Sequence, residues 1–168
     1  MSGITTRNAA ASILTAALMA GGLAAAAQPA SAAQRPSNDL FNRAQNLTSQ
    51  GCEASTDGTN VGARGQANEP SFPGAGAAAP VQSVWFKWRS PVSDTVVIDT
   101  QGSDFDTLLG VYRGNTLPGL RLVAGSDDVD PTDVTSEVEF EARRNVTYKI
   151  AVDGYRARTG DYVLNITC

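Results

Sequence analysis

The chain has 168 residues, 13 basic against 17 acidic, a formal net charge of −4 and no histidine. The missing histidine excludes Ser-His-Asp and Cys-His catalysis and the usual histidine zinc sites. Lys87 and Lys149 are the only lysines and there is no basic run, which argues against nucleic-acid binding and a polybasic membrane anchor.

In chain order, residues 1–33 read as a secretory signal peptide: Arg7 supplies a thin positive region, Ile13–Ala27 is apolar but rich in small residues, and Ala30-Ser31-Ala32 fits a cleavage site. Secretion is therefore expected, with the membrane touched only through this leader before cleavage. With Arg7 removed, 12 basic residues face 17 acidic ones, a net charge of −5. Residues 34–168 are long enough to bury one domain core. Two cysteines, Cys52 and Cys168, fall in this part. An even count in an oxidising compartment reads as one disulfide. The alternative, a reactive thiol, lacks both an activating histidine and a Cys-x-x-Cys partner.

Ser37-Asn38-Asp39 offers an N-cap, after which Leu40–Gln45 is expected to make one or two helical turns. Thr56-Asp57-Gly58 reads as a hairpin turn between Gly51–Ser55 and Thr59–Ala63. Arg64–Pro80, rich in Gly, Ala and Pro, is a long loop. Strand patterns then continue to the end. Val84, Phe86 and Trp88 alternate with Trp85, Lys87 and Arg89, which places the first set inward. Thr95–Thr100, Thr107–Arg113, Leu120–Ala124, Ser136–Ala142, Thr147–Asp153 and Asp161–Thr167 are the further strands. Eight or nine short strands with frequent turns predict an all-β antiparallel sandwich, with a closed barrel as the alternative.

The stretch Gly102–Asp128 carries the chemistry. Its two strands are joined by a turn holding Gly114, Asn115, Pro118 and Gly119, and Asp104, Asp106, Asp127 and Asp128 flank the pair. An antiparallel hairpin gathers these carboxylates at one sheet edge, either as a cation site or as a solvated acidic rim. Asp106 has a further structural reading, capping backbone N–H groups at the strand entry. Paired carboxylates also raise glycosidase chemistry, which uses separations of ~5–9.5 Å. An acidic edge open to water does not supply the raised pKa that such chemistry needs, so no catalytic residue is assigned. Trp85, on the strand face opposite the core, is a candidate ligand-stacking ring or is covered by the Arg64–Pro80 loop, which holds Phe72. Tyr155 with Arg156 and Arg158, in the Gly154–Gly160 loop, is the candidate contact surface.

The order of several short motifs resembles the bacterial pre-peptidase C-terminal domain family. Asn38-Asp39-Leu40-Phe41 looks like its opening segment. Asn68-Glu69-Pro70 and Ser83–Trp88 resemble a loop and first core strand. Ser103–Leu109 with Val111-Tyr112 and Ser126-Asp127-Asp128 is the most recognisable part, and Tyr148–Tyr155 with Gly160-Asp161-Tyr162 resembles the closing strands. The resemblance implies a secreted jelly-roll sandwich that is non-catalytic. It implies calcium in some members, with Asn38 and Asp39 joining Asp104, Asp106, Asp127 and Asp128 at one ion. It also implies binding to an extracellular polysaccharide or protein. A stand-alone copy is expected, since no peptidase segment accompanies the module. The alternative role is a free-standing partner of a separately encoded secreted peptidase, or a cell-envelope structural protein.

Overall fold

Alternation of apolar and polar side chains, every second residue facing one layer, builds this molecule. The computed structural model describes residues 34–75 and 79–168; the expected leader and residues 76–78 of the long loop lie outside the described residues. Nine strands follow in order: β1 (Gln45–Leu47), β2 (Ala54–Thr59), β3 (Val84–Arg89), β4 (Thr95–Asp99), β5 (Thr107–Arg113), β6 (Arg121–Ser126), β7 (Glu137–Glu141), β8 (Thr147–Gly154) and β9 (Asp161–Thr167). They make two facing sheets, β1-β3-β8-β5-β6 and β2-β9-β4-β7. Strands β2 to β9 interleave as in a jelly roll, late strands inserting between early ones in both sheets. Strand β1 is an addition beside β3, and their pairing is parallel, the exception to the expected antiparallel pattern.

The main core lies between the sheets. Val84, Phe86 and Trp88 of β3, Leu109 and Val111 of β5, and Ile150 and Val152 of β8 face Val96 and Ile98, Val138 and Phe140, and Tyr162, Leu164 and Ile166 of the other sheet. Phe86 meets Tyr162 edge-on with ring centroids 5.4 Å apart. Part of the outer face of the five-stranded sheet is apolar as well. Trp85, Leu108, Tyr112 and Ala151 form a second cluster, roofed by Ala44, Phe72 and the flanking Phe41. The N-terminal segment and the described part of the long loop are therefore a third layer.

Two local expectations are corrected by packing. Asp57-Gly58 does not turn; β2 runs straight through it, with Asp57 opposite Val163 and Gly58 opposite Tyr162. Gly58 lacks the positive φ that a two-residue hairpin turn requires. Its role is close approach: a Cβ there would collide with the Tyr162 hydroxyl, whose ring lies across the glycine. Leu40–Gln45 makes only one short 3-10 turn, Phe41–Arg43, without a side-chain cap. Gln45 has already joined β1 beside Phe86, so sheet pairing takes the residues a longer helix needs.

Cys52 and Cys168 form a disulfide with Cα atoms 6.3 Å apart. No helix among the described residues is long and apolar enough to cross a membrane.

Candidate functional site

The β5–β6 hairpin forms as its alternation requires, with Leu109 opposite Ser126. Just before β5 stands Asp106; just after β6 stand Asp127 and Asp128. One oxygen from each of the three comes within 4.8 Å of the others. Oδ1 of Asp106 and Oδ1 of Asp127 are both buried and lack a hydrogen-bond partner. Burial, reinforced by the Asp128 charge, pushes the Asp106 carboxyl above its ordinary value, with Arg158 and Arg156 pulling the other way. Asp127 is raised by burial and then by Asp128 and Asp106. The expected water-open edge is thus partly closed. What closes it is the long loop: Gly74 packs so tightly on Asp127 that any side chain at 74 would collide with it.

Asp106 also fixes the last loop. Its carbonyl accepts from Tyr155 N (3.0 Å) and its Oδ2 stands 3.7 Å from Arg158 Nε. Arg156 and Ala157 adopt left-handed backbone, φ 52° and 62°, a strain of about 1–3 kcal/mol for each non-glycine residue. The Arg156 guanidinium lies over the Tyr155 ring at 5.0 Å. Beneath this loop is a cavity of about 390 Å³ walled by Phe72, Leu108, Val81, Asp153 and Tyr155, within the usual size range of small-ligand pockets.

Other expected ligands lie elsewhere. Asp104 bends away and its Oδ1 accepts from Asp161 N at 2.7 Å, so the Asp104/Asp106 pair is not assembled as two parallel carboxylates. Asp39 is buried, accepting from Arg64 N and pairing with Arg35 Nε at 3.3 Å. The Asn38 amide donates to the Tyr162 hydroxyl at 3.4 Å, and its carbonyl accepts from Trp85 N. Both residues tie the N-terminal segment to the sandwich through these contacts. Of the six expected metal residues, Asp106, Asp127 and Asp128 are gathered, while Asn38, Asp39 and Asp104 are engaged by the protein contacts just named. Trp85, expected among the ligand-binding residues, is 0% exposed. It lies under Phe41, with ring centroids 5.1 Å apart, and its Nε1 donates to Glu69 Oε1 at 3.2 Å. The covering loop took the ring, and no face of it is left for a ligand.

Sequence reasoning missed two acids. Asp153 is 1% exposed and accepts from Val81 N, Gln82 N and Gly154 N, pinning the end of the long loop. Glu69 accepts from Ser83 Oγ and Trp85 Nε1. A lone acid ending the apolar run Ile150–Val152 was the available signal for the first; the second had none. Burial raises both carboxyls, and the bonds they accept offset part of that.

Four raised acids set a pH dependence. An acid with a folded pKa above its unfolded value contributes stability below the unfolded pKa, and this is lost as pH rises through the folded pKa. In the presence of a chelator the melting midpoint should therefore climb as pH falls from neutral toward the ordinary carboxylate range near ~4. Asp130 is lowered by bonds from Thr132 and acts oppositely, being lost only at lower pH. Thermal denaturation across that range checks this. A midpoint that is flat or falls on acidification contradicts it, and Asp127→Asn should shrink the slope.

No protein-family model matches the chain, and no curated protein matches it.

Proposed function

We propose that the chain is a secreted, non-catalytic binding module of the pre-peptidase C-terminal type, stabilised by calcium and engaging an extracellular polysaccharide or protein through its loop end. The observation that carries this reading is the Asp106–Asp127–Asp128 cluster with its two orphaned buried oxygens. Three hard carboxylates without sulfur or imidazole suit calcium, which takes oxygens at about 2.3–2.6 Å. Two ligands of one ion then lie no more than roughly 5 Å apart, and the cluster meets that limit. Arg158 is the resident counter-charge and swings aside when the ion enters. Because Asp106 holds the Tyr155 loop and Asp127 holds Gly74, an ion here stiffens both walls of the cavity. Tyr155 and Arg156 are the contact residues of this reading. The apparent leader and the disulfide support export.

Calcium binding only the folded state adds about 2.7 kcal/mol at a hundredfold excess over Kd, on the order of ten degrees in Tm for a domain of this size. Differential scanning calorimetry with calcium and with EDTA reads this directly. The shift should vanish in Asp106→Asn and Asp127→Asn and persist in Asp104→Asn. An identical midpoint in calcium and EDTA removes the ion from the proposal. Turnover of a glycan that is lost in Asp106→Asn would replace the binding reading with an enzymatic one.

A further inference from the structure

The two lysines of the chain, 62 positions apart in sequence, stand directly opposite each other on adjacent strands: Lys87 of β3 pairs with Lys149 of β8. Like charges in facing positions of a sheet destabilise it. Neither lysine has an acidic partner within 4.0 Å among the described residues, where the ion pairs are Arg35–Asp39 and Arg158–Asp106. Both are half-buried. They floor a groove of about 490 Å³, whose walls come from three separate loops and carry Phe41, Asn42, Asn68 and Asn115. The Lys149 ammonium sits 5.4 Å from the Phe41 ring centroid. Burial, and then the Lys87 charge, pull the Lys149 pKa down. None of the three asparagine side chains makes a hydrogen bond to a described residue. These five polar residues thus line one concavity.

From this arrangement we infer that the groove binds a carboxylate-bearing oligosaccharide, the two ammonium groups sharing the anion and the asparagines reading its hydroxyls. Strand addition by an acidic peptide is disfavoured because both floor strands are interior to the sheet, β3 between β1 and β8 and β8 between β3 and β5. Their backbone groups are already paired, so only side chains address the ligand. Asparagine amides offer donor and acceptor together, which suits vicinal hydroxyls. The Phe41 ring supplies a flat apolar wall. Lys149 and Asp153 lie four residues apart on β8, about 13 Å along the strand, so this groove is separate from the cavity under the Tyr155 loop. The inference rests on the reading of the chain as a binding module and adds a second site to it, with its own ligand chemistry.

The test is calorimetric titration of the full chain with trigalacturonate, its methyl ester and triglutamate, with melting measured in calcium and EDTA on the same samples. Trigalacturonate should bind, and the methyl ester should bind at least about tenfold more weakly, the weight of one charge-assisted contact. Lys87→Met and Lys149→Met should each weaken trigalacturonate by a similar factor while melting at the same or a higher temperature, since the like-charge pair is relieved. Raising salt should weaken binding. Equal affinity for acid and ester, no binding at millimolar ligand, or binding of triglutamate in place of the sugar would each overturn the inference. A calcium-dependent melt without saccharide binding sinks the groove and leaves the calcium-stabilised module standing. Saccharide binding with no calcium response does the reverse.

Discussion

Replacing Cys52 and Cys168 together by serine is expected to cost about 5 kcal/mol of folding stability, the chain-entropy value for a bridge across 116 positions. For a domain with roughly 5–15 kcal/mol in total, that is the largest single loss foreseen. The location makes it local as well as global. Cys52 stands two residues before β2 and Cys168 directly after β9, and β2 touches no strand of its own sheet except β9. Side chains add to this ladder: Ala54 packs on the core, Ser55 Oγ donates to Asn165 Oδ1 at 2.8 Å, Gln45 Nε2 donates to Thr56 Oγ1 at 3.0 Å and Thr59 Oγ1 donates to Gly160 O at 2.9 Å. Urea denaturation of the double variant should show a lower midpoint, and hydrogen exchange should show the Ala54–Thr59 amides losing protection before the rest. An unchanged midpoint contradicts the assignment of the bridge as a staple.

The second large effect is at Trp85. Trp85→Ala should destabilise by about 3–5 kcal/mol, as for other buried aromatic truncations. Three losses combine there. The ring leaves a void between Phe41 and Tyr112, whose centroids lie 5.1 and 6.1 Å from it. Glu69, half-buried, loses one of its two side-chain donors. The third layer, formed by the N-terminal segment and the long loop, loses its central contact. Trp85→Phe separates the terms, keeping most of the ring and removing the indole N–H, and should cost about 1–3 kcal/mol because Glu69 Oε1 loses its donor while Oε2 keeps Ser83 Oγ. Chemical denaturation of both variants checks the order. A Trp85→Ala protein as stable as the parent would mean that the layer does not depend on this ring.

The strands were legible wherever alternation was clean. Val84–Trp88 put the expected residues inward, and Glu137–Glu141 and Asp161–Thr167 alternate in the same way, because a sheet with one buried face leaves no other register. The β5–β6 hairpin and the meeting of Asp127 and Asp128 with Asp106 followed from the same logic. What stayed hidden was set by partners distant in sequence. Asp57-Gly58 has turn chemistry, and only the Tyr162 ring across it shows why glycine is needed there. Alternation put Trp85 on the outer face correctly, but an outer face here is not a surface, because Phe41 and Phe72 come from elsewhere to cover it. Asp104 and Asp106, two apart, were expected to point together; a bend at Asp104 sends it to the amide of Asp161. Lys87 and Lys149 looked like isolated charges, and only the β3–β8 register makes them a pair.

The outermost strand of the smaller sheet has a bearing on life at high concentration. Strand β7 presents Glu137, Glu139 and Glu141 outward at alternate positions, and among the described residues no strand pairs with its far side. Two molecules approaching flank to flank would bring these rows of anions together, so ladder growth between copies is blocked at that side by repulsion. Screening it with salt, or exchanging the row for valines, is expected to raise self-association at this flank.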